Sequence, residues 1–236
     1  MSSKKYKNLY VNGCSFTAGH EIKDGFTWPE LLSKKLNLNL INSAVNGNSM
    51  ESIVFSSVCH LEEFNSDDTL VIIGLTWETR IMLQFDKFLS TITTTDIQNK
   101  NGLVKLSTWR RALSPYTFKK TDINKFRNNI DENAYLEVYN SFVDYYKTLV
   151  KNDKDIQKNQ FKKLEVQILL LQSFLKNNNY DYRFISWAPT IHNNPKFENV
   201  ITFDNDWRNK FVDKTSHPTI LGCQNISEVI YDSINK

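Results

Sequence analysis

Apolar and polar residues alternate along this chain in blocks that predict a repeated strand–helix order. The first apolar run, Asn8-Leu9-Tyr10-Val11, is short and rich in strand formers. Trp28 to Leu36 follows as a helix, with Pro29 in its first turn and Leu31, Leu32 and Leu36 on one face. Leu38-Asn39-Leu40-Ile41-Asn42 alternates as a short second strand. A second helix from Met50 to Phe64 turns Ile53, Val54, Val58 and Leu61 inward. Thr69-Leu70-Val71-Ile72-Ile73-Gly74 is a continuous apolar run, the pattern of a strand covered on both faces in a parallel sheet. Two further helical stripes follow. One, Tyr135 to Val150, carries Leu136, Tyr139, Phe142, Val143 and Tyr146; the other, Ile156 to Asn177, carries Phe161, Leu164, Ile168, Leu171 and Leu175. Tyr180 to Trp187 reads as a fourth strand stopped by Pro189, and Val200 to Phe203 as a short fifth. Asn225 to Ile234 closes the chain as a helix. This alternation predicts a single α/β domain: a three-layer α/β/α sandwich around a five-stranded, mostly parallel sheet in the order 2-1-3-4-5.

The stretch from about 84 to 133 breaks the rhythm. Ser90 to Thr95 and Gly102 to Leu106 can pair as a hairpin around Asn99-Lys100-Asn101-Gly102, since Asn-Gly is a strong turn signal. Trp109, Tyr116 and Phe118 make the segment aromatic. So long an irregular stretch in a compact domain is usually functional, and it reads as an insertion beside the active edge, a lid or a substrate platform; a surface excursion with no role is the alternative.

Composition narrows the function classes. The chain has 236 residues, 29 basic and 26 acidic, for a net charge of +3, too balanced to argue for nucleic acid. Its basic pairs (Lys4-Lys5, Arg110-Arg111, Lys119-Lys120, Lys162-Lys163) are dispersed and read as solvated surface. No apolar leader follows Met1 and no apolar run reaches the ~18 residues of a membrane span, so a cytoplasmic protein without membrane contacts is expected. Cys14, Cys59 and Cys223 are an odd, sparse set without metal-ligand spacing, which suits free thiols in a reducing compartment. His20, His60 and His192 show no ligand pattern and are read as packing or surface residues. Neither a metal nor an organic cofactor is expected.

The candidate chemistry lies in Gly13-Cys14-Ser15-Phe16-Thr17-Ala18-Gly19. It places a serine at the C-terminal end of the first strand, the edge where open α/β sheets bind ligands, with a glycine on either side. The segment resembles the first block of the SGNH (GDSL-type) hydrolases, with Cys14 where the family has Asp. Ser43-Ala44-Val45-Asn46-Gly47-Asn48-Ser49 resembles the second block, in which Gly47 matches a glycine whose backbone N–H faces the oxyanion. Taken alone, it also suits a strand-to-helix turn with Gly at positive φ and Asn48 or Ser49 as the cap. Gly74-Leu75-Thr76 resembles the third block, but Thr76 stands where the family has an oxyanion-hole Asn; its hydroxyl can still donate one hydrogen bond. Asp213-Lys214-Thr215-Ser216-His217-Pro218 resembles the last block, with the Asp four residues before the His instead of three, a spacing from which it can still reach the ring.

That resemblance, spanning Gly13 to Gly222, implies the flavodoxin-like SGNH hydrolase fold and a serine esterase. It implies Ser15 as nucleophile, His217 as base and Asp213 as its partner, with Asp204 and Asp206 as fallbacks. The N–H groups of Ser15 and Gly47, with Thr76, are implied as the oxyanion hole. Trp77, Glu78 and Arg80 are candidate substrate contacts; Arg80 can equally pair with Glu78 or another nearby acid. The family acts on acetyl esters of sugars, short acyl esters, thioesters and lipids, so a small-molecule or carbohydrate ester substrate is expected. No long apolar lid helix is legible here, and Trp109 and Tyr116 suit sugar stacking, so short-chain or carbohydrate acetyl esters are favoured. Three alternatives stay open: a thiol mechanism at Cys14, acyl transfer to an acceptor other than water, and a binding module that has kept the cleft and lost the rate.

Overall fold

The computed structural model describes residues 6–77, 80–85, 88–93, 109–112, 155–187, 191, 194–214 and 217–235. Five parallel strands form the main sheet: β1 (Asn8–Asn12), β2 (Asn39–Asn42), β3 (Thr69–Gly74), β7 (Asp181–Ser186) and β8 (Val200–Thr202). Their order is β2-β1-β3-β7-β8, the arrangement that the strand–helix alternation predicts. Pairing Val11 with Asn42, Asn12 with Ile73, and Gly74 with Ile185 brings the C-terminal ends of the four inner and left-hand strands to one edge.

Period-two alternation sends successive side chains to opposite faces. Tyr10, Val71, Ile73 and Phe184 meet one core, built with α3 (Met50–Leu61) and α4 (Ile156–Asn177). Leu9, Val11, Leu70, Ile72 and Ile185 meet the other, built with α2 (Trp28–Leu36) and α6 (Ile220–Ile234). Every residue of β3 is buried, as its unbroken apolar run requires. The helix stripes face as expected: Ile53, Leu61, Leu164, Ile168, Leu171 and Leu175 are all buried.

The element ends differ by a few residues. The second helix stops at Leu61, and the last begins at Ile220, five residues before the expected Asn225, because the Thr219 side chain accepts from Gly222 N–H at 3.1 Å and caps it. An additional helix, α5 (Asn205–Phe211), follows β8; Asp204 caps it by accepting from Trp207 N–H at 2.8 Å. Asp204 is therefore committed to a helix end.

A second sheet, β4-β5-β6, is antiparallel and joins β4 (Arg80–Phe85), β5 (Phe88–Thr93) and β6 (Trp109–Ala112). Ser90 to Thr93 does form a strand, with β4 and β6 as its neighbours. The expected strand at Gly102 to Leu106 with its Asn-Gly turn, Tyr116, Phe118, the helix at Tyr135 to Val150, and His192 lie outside the described residues. Among the described residues, no helix is long and apolar enough to cross a membrane, and no group of three or more His, Cys, Asp or Glu could hold a metal ion.

Candidate active site

Ser15 opens α1 (Ser15–Ala18), a single turn directly beyond β1, and is 6% exposed. Three contacts fix this turn. Trp28 Nε1 donates to the Phe16 carbonyl at 3.0 Å, tying α1 to α2. Gly19, in the left-handed region at φ 74, ends the turn by donating to the Ser15 carbonyl at 3.1 Å. Thr17, fully buried, wedges between the ends of β1 and β3: a Cβ on Gly74 would stand 2.3 Å from its Oγ1. Gly74→Ala should therefore lower stability by about 2 kcal/mol through overpacking. Adding Thr17→Ala should restore much of that loss in thermal unfolding, and an additive double variant would show the wedge to be unimportant.

Gly47 lies in the β2–α3 connection with φ 72, where a side chain is strained. Its loop is bonded to the Gly13–Gly19 block. Val45 N–H and the Asn48 side-chain amide both donate to the Gly13 carbonyl at 3.2 Å, and Asn48 is 3% exposed. Ser49 caps α3 by accepting from Ser52 N–H at 3.3 Å, as one reading of that loop expects. Thr76 is two residues past β3 and buried at 2% exposure, on the same sheet edge.

The loop between α5 and α6 carries the histidine. Val212 and Pro218 form an isolated antiparallel bridge. Inside it Asp213 N–H donates to the His217 carbonyl at 2.9 Å, and His217 N–H donates to Asp213 Oδ1 at 3.3 Å. The four-residue spacing thus bonds Asp213 and His217 to each other twice. His217 packs its ring against Phe16, the residue after Ser15, with centroids 5.7 Å apart. Phe16 in turn meets Trp187 at 5.1 Å, and Trp187 stacks on Phe203 at 5.0 Å. The His217 loop and the Ser15 turn therefore share one aromatic floor.

The remaining candidates are spread more widely. Trp77 is partly buried, packs against both cores, and carries the Arg208 guanidinium over its ring at 5.3 Å. Arg80 is the first residue of β4, and Glu78 lies outside the described residues. Asp206 is in the first turn of α5. Cys14 is 1% exposed and belongs to the core that holds Leu32 and Ile226. Burial pushes the Cys223 thiol up to about 11, and burial followed by the Glu62 charge raises that of Cys59, so both are poor nucleophiles. His60 pairs with Ser43 Oγ at 2.9 Å and meets Tyr10 edge-on, a packing role as expected.

His20 also packs, as expected, but against a candidate site residue. Its ring lies 4.8 Å from that of His217, inside the site. Its only sequence signal is its position directly after Gly19. Asn12 was also unremarked by periodicity, although it is completely buried beneath Gly13.

No family model matches the chain, and no curated protein matches it. Solved structures do. The psychrotrophic esterase EstA from Pseudoalteromonas sp., in a form inhibited by monoethylphosphonate, superposes with a TM-score of 0.52 at 13% identity, covering 97% of each chain. TesA superposes with a TM-score of 0.50 at 10% identity, covering 97% of this chain and 98% of its own. At such identity the likeness speaks for the fold, and with the five-stranded parallel sheet and its flanking helices it leads to one conclusion: this chain has the SGNH hydrolase fold.

Proposed function

We propose that this protein is a serine esterase of the SGNH type, hydrolysing O-acyl esters through an acyl-enzyme. The observation that carries the reading is the meeting of the two chemical segments. Ser15 and His217, 202 positions apart in sequence, belong to segments whose neighbouring rings touch at one sheet edge. The esterase fold supports it.

In this reading Ser15 Oγ attacks the ester carbonyl carbon while His217 takes its proton; a neutral imidazole suits this at ordinary pH. Asp213 holds the His217 loop and stabilises the imidazolium. The N–H groups of Ser15 and Gly47 and the Thr76 hydroxyl receive the oxyanion. When the tetrahedral adduct collapses, the C–O bond to the alcohol breaks and His217 returns its proton to the leaving oxygen. Water, deprotonated by His217, then attacks the acyl-Ser15, and the acid departs with Ser15 Oγ reprotonated. Losing one oxyanion donor costs about 2.7–4 kcal/mol, so the Thr76 substitution bears directly on rate.

Substrates in this reading are short-chain or carbohydrate acetyl esters, with Trp77, Glu78 and Arg80 at the rim. The chain acts as one cytoplasmic domain with an insertion at about 84–133. Thr76 in place of Asn also favours a second reading, a binding module that has kept the cleft. A fluorophosphonate probe separates them. Covalent labelling at Ser15, located by peptide mass analysis, supports a serine enzyme, whether hydrolase or acyltransferase. Failure to label the folded protein supports the binding module, and release of free acid from an acyl ester distinguishes hydrolysis from transfer.

A further inference from the structure

The His217 ring is walled on two sides by the nucleophile's own segment: by Phe16 at 5.7 Å and by His20 at 4.8 Å, the latter tilted 59°. His20 is itself held by two hydrogen bonds and faces a carboxylate. Its backbone N–H donates to the Ser15 carbonyl at 3.2 Å. Its Nδ1 lies 3.0 Å from Asn46 Nδ2, in the residue before Gly47. Its Nε2 faces Glu21 Oε1 at 3.6 Å. Glu21 occupies the left-handed region at φ 63, unusual for a residue with a side chain, and such conformations collect at functional sites.

The tautomer follows from hydrogen-bond accounting. Asn46 Nδ2 can only donate, so His20 Nδ1 accepts and the ring proton sits on Nε2, toward Glu21. The present arrangement leaves Asn46 Oδ1 buried without a partner. Rotating the amide would orphan the NH₂ group instead, and buried donors without partners are rarer than under-satisfied carbonyl oxygens. The line Asn46–His20–Glu21 therefore has one favoured direction.

We infer that His20 is a positioning residue. It fixes the His217 ring against Phe16 and, through Asn46, couples it to the loop that carries Gly47. Base and oxyanion donor are then held as one unit by a side chain that belongs to neither. The inference rests on the serine-esterase reading, because it assigns His217 the role of base. A loosened base and a shifted Gly47 both harm the transition state while leaving ground-state binding intact, so the loss belongs in kcat.

The test compares His20→Ala, Asn46→Ala and the double variant with wild-type protein, using an activated acetyl ester and fluorophosphonate labelling of Ser15. Each single variant is expected to lower kcat about tenfold, with KM changed less than about twofold, and to slow labelling by a similar factor. The double variant should be no worse than either single, because the two residues act through one hydrogen bond. His20→Phe keeps the ring and guards against an unfolded Ala variant; it should keep the wild-type melting temperature and still lose several-fold in kcat. Unchanged kcat in folded His20→Ala or His20→Phe, or losses that multiply in the double variant, overturns the inference. If wild-type protein neither labels nor turns over ester, the esterase reading fails by itself. His20 is then judged by the NMR ring-proton shifts of His217: movement toward random-coil values in His20→Ala supports positioning, and unchanged shifts overturn it.

Discussion

Ser15→Ala should remove turnover of an activated acetyl ester, by about 10³-fold in kcat or more, and His217→Ala should fall about as far. Groups that act as a unit are not additive, so the double variant should lose little beyond either single. The expectation follows from where the chain places the two residues. Ser15 begins the turn after β1, and the loop before α6 returns His217 to the same edge, against Phe16. Asp213→Asn should cost much less. An Asn keeps an oxygen to accept the His217 backbone N–H, now bonded to Asp213 Oδ1 at 3.3 Å, so the turn survives and only the charge is lost. Asp204 cannot readily replace it, since its carboxylate already caps α5. Cys14→Ala should leave kcat nearly unaltered, because Cys14 is 1% exposed and packed in the core. Steady-state kinetics on the five variants decides the matter. Hydrolysis that persists in Ser15→Ala and disappears in Cys14→Ala would hand the mechanism to the thiol.

The fold was legible because burial writes itself into periodicity. The unbroken Thr69 to Gly74 run could only suit a strand covered on both faces, and the α4 stripe from Leu164 to Leu175 could only face a core. Strand order followed from connection rules more than from any one residue. What stayed hidden was polar and local. The helix Asn205–Phe211 has a single buried residue, Phe211, so it casts almost no hydrophobic shadow, and in the sequence its cap Asp204 reads only as a fallback partner for His217. The candidate site is legible where glycines bracket a serine, because close backbone approach demands them. His20 did not, because its significance is a distance to His217 that arises only when the two ends of the chain meet.

Asn12 is the other residue that periodicity could not find, and its replacement should bring the largest loss of stability. It is fully buried at the end of β1, three residues before Ser15. Its Oδ1 accepts from Gly13 N–H at 2.8 Å. Its Nδ2 lies near four acceptors: Ser56 Oγ at 2.8 Å, Ser57 Oγ at 2.9 Å, and Tyr10 OH and the Ile53 carbonyl at 3.3 Å. Two hydrogens cannot serve four acceptors, so the two short contacts to α3 are the bonds that matter. Ser56 spends its own proton on the Ser52 carbonyl at 2.7 Å, which leaves its oxygen free to accept from Asn12. Asn12→Ala strands the buried Gly13 N–H and both serine oxygens and opens a small void. Together these should cost about 3 kcal/mol, lowering the melting temperature by about 6–12 °C. Asn12→Asp should be worse at neutral pH, because it keeps the acceptor for Gly13 but loses the donors and buries a charge. Its carboxyl would be held above the unfolded value of about 3.9, so its deficit should be smallest in acid and grow as pH rises through that range. Melting curves from pH 4 to 8 test both variants. A midpoint within about 1 °C of wild type for Asn12→Ala would mean that the β1–α3 bonds do not hold the nucleophile turn. A large drop, with kcat reduced well below the melting transition, would mean that the serine is aimed from beneath by an amide that never meets the substrate.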